Sequence, residues 1–294
     1  SAPSRSTSRP RDIRAIAIAR LISEMGDEIA LIALLFRVKS SGTTAVSLIF
    51  ALYALSRIVL SPLSGSIDDR FASRRLITTV SLIQVATATC LAFADTPLLY
   101  LLVFVLAVGA SIIGPAWQSL VPVLVESHEL SRTYAFIQAH RSMAIVIGAG
   151  VGGFLVESLG SSVALLIDAA TFLVVALLGA TLKNERPRGL QHVSGQASVR
   201  GFRRVFSQPV LLASIIMLAA FNMSAGVNEV LGVFLVTDLL DGSASQYGLI
   251  MSSLGASMVV SGYVLSRIEV RRPDTQMIVL SALTSAIGML AYGL

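Results

Sequence analysis

Residues 98–113 read LLYLLVFVLAVGASII and lie between Pro97 and the Gly114-Pro115 pair. A strand of a membrane barrel alternates apolar and polar side chains over about 10 residues, and this run shows no such alternation. A helix that crosses a bilayer needs about 20 apolar residues. The stretch from 98 to 120 therefore predicts a transmembrane α-helix.

Apolar runs of this kind recur along all 294 residues. They predict spans near 15–37, 44–67, 76–94, 98–120, 135–157, 161–182, 209–237, 245–266 and 276–294. Only 13% of the residues are charged, whereas soluble proteins carry about 25%. The predicted fold class is therefore an all-α polytopic membrane protein rather than a soluble enzyme with one anchor.

The basic residues predict how the chain lies in the membrane. Seventeen lysines and arginines fall in the N-terminal tail and in the loops after spans two, four, six and eight, against Arg37 and Lys39 on the other side. Because cytoplasmic loops are enriched in basic residues, we expect a cytoplasmic N-terminus and a location in the plasma (inner) membrane. This sorting accounts for the net charge of +5 without a nucleic-acid partner.

Residue types that support catalysis or metal binding are sparse. Cys90 is the single cysteine, and His128, His140 and His192 are scattered along the chain. These residues form no pattern of a nucleophile with its base or of metal ligands. We therefore expect a protein that is not an enzyme and that holds no cofactor and no metal.

The domain organisation is predicted from one long polar segment and from a repeat. Residues 183–208 are rich in Arg, Ser, Gly and Pro and read as a cytoplasmic linker. They follow a six-helix half with its cytoplasmic tail, 1–182, and precede the first three helices of a second half, 209–294. Ser-Gly at 41–42 opens span two as Asp-Gly at 241–242 opens span eight, which suggests parallel halves. Nine spans of an expected twelve, with no initiating Met, predict a fragment.

The end of span two carries a family signature. Residues 65–76 read GSIDDRFASRRL and resemble the loop 2–3 motif of the major facilitator superfamily, G-x-x-x-D-R-x-G-R-R. Gly65, Asp69, Arg70 and Arg74 match it, positions 72 and 73 depart from it, and Arg75 directly follows it as a further basic residue of the predicted gating loop. The resemblance implies the superfamily fold, with this acid and these bases forming a gating network between the halves.

Three further stretches resemble the enterobactin-exporter and macrolide-efflux-like branch of this superfamily. They are the end of span four, GPAW at 114–117 with LVP at 120–122, the turn ESHEL at 126–130, and IDAATF at 167–172 in span six. Tyr134 stands where that branch has Asn. The arginine-containing motif of proton-coupled drug antiporters is missing from span four, which reads LAVGA at 106–110.

Span five contains GAGVGG at 148–153, similar to the antiporter signature G-P-x-x-G-G, with Ala149 at the Pro position. The candidate glycine face comprises Gly148, Gly150, Gly152 and Gly153. Gly148 and Gly152 are four residues apart and permit close approach of another helix. Two alternatives stay open: the contact moves during transport, or it only packs.

Charges inside the spans are the candidate site. Arg20, Glu24, Asp27 and Glu28 lie in span one, and Arg20 and Glu24 are one helical turn apart and suited to pair. Charges at membrane depth are costly and usually face a cavity or a partner. Carboxylates crowded in a low dielectric favour uptake of a proton by one of them, as a proton carrier requires. A packing role for Asp27 or Glu28 is the alternative.

Three residues outside span one complete this candidate site. Arg57 in span two is the expected counter-ion. Asn222 and Glu229 in span seven are expected to face span one across the pseudo-two-fold axis. Asp168 in span six we interpret as structural, and Arg141 as a pairing residue on the cytoplasmic side.

The sequence thus predicts a secondary exporter of an amphipathic small molecule, drug-like or siderophore-like, that works by alternating access with proton antiport. Its expected partners are substrate, protons and the lipid bilayer, and the expected state is a monomer. Asp27 and Glu28 would exchange protons, and Glu24 and Arg57 would help to set the pKa values of these two acids. The Asp69-Arg70 turn would lock the inward-closed state. The alternatives are a lysophospholipid or lipid flippase of the same superfamily and a non-transporting membrane sensor.

Overall fold

The computed structural model describes residues 9–70, 73–125, 130–181 and 207–267, and within these ranges the chain is helical. The α-helices are α1 (Arg9–Val38), α2 (Thr43–Arg70), α3 (Ser73–Phe93), α4 (Thr96–Leu124), α5 (Leu130–Leu159), α6 (Ser161–Thr181), α7 (Pro209–Phe234) and α8 (Ala244–Arg267). A short 3-10 turn (Lys39–Ser41) follows α1, and a π-helical turn (Leu235–Leu239) follows α7. The all-α prediction is confirmed for these residues. The ninth predicted span, 276–294, lies outside them.

Six of the described helices, α2 to α7, are long and apolar enough to cross a membrane. Of the other two, α1 carries four ionisable side chains between residues 20 and 28, and α8 contains six serines. The sequence-predicted spans one and eight are nevertheless helical over their whole length.

Two of the helix starts are set by turns with positive φ. Gly42 has a φ of 89° directly before α2, and Gly160 has a φ of 83° directly before α6. Glycine adopts this conformation without a steric cost. Before α8 the chain turns at Asp241, with a φ of 48°, and Gly242 donates its N–H to the Val236 carbonyl at 2.7 Å. The Ser-Gly and Asp-Gly pairs noted in the sequence therefore precede helices as predicted.

The described chain divides into two compact units by its internal contacts. The first contains α1 to α6 together with Val230–Ser261, and the second contains the described residues 207–229 and 262–267. In the first unit α1 packs on α5 and α6, α3 packs on α4 and α6, and α2 packs on α4. Its main core is aliphatic and small side chains of α1, α2, α3, α4 and α6, such as Ile32, Leu35, Ile49, Leu91 and Leu165.

Arg37 fastens the end of α1 to the end of α3. Its guanidinium donates to the carbonyls of Leu91, Ala92 and Ala94 at 2.9, 3.0 and 2.7 Å. The last carbonyls of a helix have no partner within the helix, and a cation there also complements the helix dipole. Ser162 at the start of α6 donates to Ala92 as well, at 2.8 Å. This end of the first unit is therefore tied across three helices.

Candidate functional site

The first unit contains a cavity of about 450 Å³ between the middle portions of its helices. Its charged lining residues are Arg20, Glu24, Asp27, Arg57 and Arg141. A neighbouring cavity of about 430 Å³ shares Arg20 and Arg141 and extends to Ile16 and Tyr134, near the starts of α1 and α5. The charged space thus continues towards the end of the unit at which α1 begins. We call this the near end, and the opposite end the far end.

Glu24 connects two arginines in the cavity. Arg20 Nη2 donates to Glu24 Oε1 at 3.0 Å, and Arg141 Nε donates to Glu24 Oε2 at 3.3 Å. The predicted i, i+4 pair in span one is confirmed, and Arg141 is a pairing residue as interpreted. Both carboxylate oxygens of Glu24 are used, so this acid acts as a fixed negative link between α1 and α5.

Asp27 lines the cavity and interacts electrostatically with Glu24, Glu28, Asp168 and Arg57. Among these groups only Arg57 is positive. Arg57 lies in the middle of α2, also lines the cavity, and forms no ion pair with a carboxylate of the described residues. The structure therefore brings three predicted site residues, Glu24, Asp27 and Arg57, to one space.

Asp168 lies behind this cluster and is more central than the sequence suggested. It is 1% exposed, and Thr171, one turn along α6, donates to its Oδ1 at 3.3 Å. A Cβ on Gly26 would collide with Thr171 and with Asp168 Oδ1, so α1 and α6 touch at this point. The sequence signal for a buried Asp168 was the Asp-x-x-Thr spacing in span six, because it places a hydroxyl donor one helical turn from the carboxylate.

Glu28 stands on a different side of α1. A Cβ on Gly148 of α5 would lie 3.0 Å from the Glu28 Cβ and 2.9 Å from the Met25 carbonyl oxygen. Glu28 is not among the described residues that line the cavity. It remains close enough to interact electrostatically with Asp27.

Polar side chains of α3 were missed by the sequence analysis. Gln84 lines the cavity and is 2% exposed. Its Nε2 donates to the Leu106 carbonyl at 3.4 Å, whereas its Oε1 has no hydrogen-bond partner among the described residues. A buried amide oxygen without a partner carries a desolvation cost. A lone Gln in an apolar span was the available signal.

The glycine face of α5 serves two helices rather than one. Gly148 and Gly152 meet α1, where a Cβ on Gly152 would lie 2.9 Å from the Ile29 Cα. Gly153 meets α8, where a Cβ would collide with the Ala244 carbonyl oxygen and lie 3.0 Å from the Gly248 Cα. Gly150 also faces α8, but there a Cβ would meet only the Ser252 side chain, 2.9 Å away at Oγ.

Polar contacts close the far end between α1, α5 and the α7–α8 turn. Lys39 pairs with Asp238 at 2.6 Å. The Glu157 carboxylate, near the end of α5, accepts the N–H of Ser245 in the first turn of α8 at 2.9 Å. It thus acts as a capping group supplied by another helix. Phe36 and Tyr247 add an edge-to-face ring contact with centroids 5.9 Å apart.

Other predicted site residues are not brought into this cavity by the described structure. Arg74 and Arg75 are exposed at the start of α3, while Gly65, Asp69 and Arg70 belong to residues 61–73, whose side chains lie outside the description. Asn222 and Glu229 are exposed on α7 in the second unit. Their predicted approach to span one stays a prediction, as does the linker at 183–208, of which 183–206 lies outside the described residues.

Apolar helices around a charged cavity define a multi-pass membrane protein of the transporter class. The model of the Major Facilitator Superfamily matches residues 16–294, and the chain belongs to this family. The family predicted from the loop 2–3 motif is confirmed.

Two curated relatives illustrate the similarity in sequence. Multidrug resistance protein 1 of Bacillus subtilis (strain 168) is 24% identical over 184 residues, which are 62% of this chain and 47% of that protein. Multidrug resistance protein MdtH of Yersinia enterocolitica is 32% identical over 113 residues, 38% of this chain and 28% of that protein. The chain spans about half the length, or less, of the curated relatives it matches.

Two solved structures share the fold. A bacterial homologue of the human lysosomal transporter Spinster, inward-facing and unoccupied, superposes with a TM-score of 0.73 at 16% identity, over 93% of this chain and 65% of that one. A D-xylose-proton symporter superposes with a TM-score of 0.60 at 15% identity, over 84% and 67%. At these identities the similarity concerns the fold alone.

Proposed function

We propose that the chain is part of a proton-coupled secondary exporter that moves an amphipathic small molecule across the plasma membrane by alternating access. The observation that carries this proposal is the charged cavity, in which Glu24, Asp27 and Arg57 meet at the depth of the apolar helices. Ionisable groups at this depth mark substrate or proton pathways. The multidrug resistance proteins among the relatives support the outward direction.

The closed far end and the open near end support an inward-facing state. The cavity extends towards the starts of α1 and α5, and the contacts of Lys39 and Glu157 close the opposite end. With the N-terminus in the cytoplasm, as the basic residues predict, the cavity opens to the cytoplasm. An exporter collects its substrate from that side. The Spinster homologue that shares the fold is also inward-facing.

We assign the proton exchange to Asp27 and Glu28. Asp27 lines the cavity, and Glu28 lies on the same helix within electrostatic reach of it. Glu24 is held by two arginines and so offers a fixed charge, while Arg57 offers the positive charge that balances a deprotonated Asp27. We assign the locking of the inward-closed state to the Asp69-Arg70 turn, and this assignment rests on the loop 2–3 motif alone.

The wider organisation belongs to the same proposal. Residues 1–182 form the N-terminal half, 183–208 the cytoplasmic linker, and 209–294 the first three helices of the second half. The transporter functions as a monomer with a cytoplasmic N-terminus. Asn222 and Glu229 contribute the facing wall of the substrate path.

The test is substrate-dependent proton release from the complete gene product in proteoliposomes, screened with macrolide-like and siderophore-like compounds. Asp27→Asn should remain folded and lose the coupling, because an amide cannot release a proton. Asp95→Asn is the matched control, since Asp95 is exposed before α4 and outside the cavity. Unchanged pH-driven efflux in Asp27→Asn would refute the assignment of Asp27. Ligand binding without flux in the unmodified protein would refute the exporter itself.

A further inference from the structure

The charges on the cavity wall are not balanced. Three arginines line it, Arg20, Arg57 and Arg141, against the two carboxylates of Glu24 and Asp27. Glu24 binds Arg20 and Arg141 with its two oxygens. Asp27 is the remaining carboxylate of the described lining and forms no ion pair with Arg57, so the lining keeps an excess of positive charge.

Arg57 is suited to bind a ligand. It lies within the apolar segment Thr43–Leu60 of α2, where a charged side chain is costly unless it faces water or a partner. Its side chain is exposed towards the cavity and forms no ion pair with the described residues. A guanidinium offers a planar set of donors that fits a carboxylate or a phosphate with two hydrogen bonds.

Gln84 offers a second polar group that points to a ligand. It is 2% exposed, lines the same cavity, and carries an Oε1 atom without a partner among the described residues. That oxygen accepts from an N–H or an O–H group. The apolar part of the lining includes Ile113, Trp117 and Phe172, which all belong to the cores of the first unit.

We infer that the cavity binds an amphipathic organic anion, whose carboxylate or phosphate pairs with Arg57 and whose N–H or O–H donates to Gln84. This inference rests on the proposed exporter function and names its substrate class.

The test uses Trp117, the single tryptophan of these 294 residues, because it lines the cavity. Every tryptophan of the complete gene product outside these residues is replaced by Phe, so that the fluorescence reports occupancy of the cavity. N-octanoylglycine carries a carboxylate, an amide N–H and an apolar chain. N-octanoyl-ethylenediamine has the same chain and amide with an ammonium group. N-octanoylsarcosine keeps the carboxylate and lacks the N–H. Each is titrated into the complete gene product in detergent.

We expect N-octanoylglycine to bind at least about tenfold more tightly than the ammonium compound. The carboxylate forms a charge-assisted hydrogen bond with Arg57, whereas the ammonium group is repelled by it. Arg57→Gln should abolish this preference, and Arg57→Lys should keep part of it. Gln84→Met should lower the affinity for N-octanoylglycine towards that of N-octanoylsarcosine. Arg14→Gln removes an exposed arginine outside the cavity and should change neither ratio.

Equal or tighter binding of the ammonium compound by the unmodified protein would overturn the inference while leaving an exporter of cations possible. An anion preference that survives Arg57→Gln would also overturn it. Anion binding as expected, but without proton-linked flux in proteoliposomes, would support the site and refute the exporter function. The two proposals therefore fail separately.

Discussion

Replacing Gly153 by alanine tests whether the contact between α5 and α8 has to open. A Cβ at this position would collide with the Ala244 carbonyl oxygen and lie 3.0 Å from the Gly248 Cα. Both obstacles are backbone, so no side-chain rotation relieves them and the helices have to separate. Overpacking of this kind costs about 1–3 kcal/mol. Gly-to-Ala exchange also gains about 1 kcal/mol of helix propensity, which offsets part of the loss in an unfolding experiment.

That gain cancels when two folded conformations are compared, because α5 is helical in both. The overpacking cost then acts fully on the equilibrium between closed and open far ends, and about 1–3 kcal/mol corresponds to a shift of roughly 5- to 150-fold. The closed state is measured by cross-linking cysteines at Lys39 and Asp238 with a short bifunctional thiol reagent, in a Cys90→Ser background. Those two side chains form an ion pair in the structure, in which this end is closed.

Two other glycines of the chain serve as controls. Gly150→Ala meets only the Ser252 side chain, so we expect a smaller loss of cross-linking. Gly226→Ala has nothing within 4 Å and should leave cross-linking unchanged. If Gly153→Ala cross-links as fast as these two, the close approach is not required for the closed state. If Gly153→Ala lowers the unfolding temperature without changing the rate of cross-linking, the glycine face contributes to packing and does not move.

Three further predictions follow from contacts of the first unit. Arg37→Ala should lower the free energy of unfolding by at least about 2 kcal/mol, since three carbonyls lose a charged donor; a thermal shift equal to that of Arg14→Ala would contradict this. Gly26→Val should prevent α1 from seating on α6 and sharply reduce the yield of folded protein, and normal yield would show that the contact adjusts. Reversing the charge of either Lys39 or Asp238 should weaken cross-linking between engineered cysteines placed next to them at the far end. Reversing both charges should restore the cross-linking. The difference between single and double reversals should become smaller at high salt, because salt screens the ion pair. Equal behaviour of single and double reversals would exclude the ion pair as a closing contact.

Much of the fold was predictable because bilayer-length apolar runs allow few alternatives to a helix. The eight predicted spans within the described residues are all helical, and the turn signals at Gly42 and Gly242 precede helices. The ends were less predictable. α5 begins at Leu130, several residues before the predicted 135, because helices continue into the polar loops, where hydropathy carries no signal.

The site was predictable where its residues share one helix. The spacing of Arg20 and Glu24 fixes their contact, and the structure shows it. Gln84 and the central place of Asp168 depend on which helices become neighbours, and the spacing within one helix does not contain this information. The approach of Asn222 and Glu229 to span one depends on the arrangement of whole halves and stays a prediction.

The ion pair between Lys39 and Asp238 also affects whether one half of the chain associates with the other half or with a second copy of itself. The predicted repeat, offset by about 200 residues, places the two at nearly the same point of their turns, three residues before Gly42 and four before Gly242. In a two-fold interface residue i contacts j and j contacts i, and a residue close to the axis contacts its own counterpart. Two copies of the first half would therefore set lysine against lysine, and two copies of the second would set aspartate against aspartate. Opposite charges at related positions make each half complementary to the other and repellent to itself, a selectivity that favours intramolecular pairing over self-association.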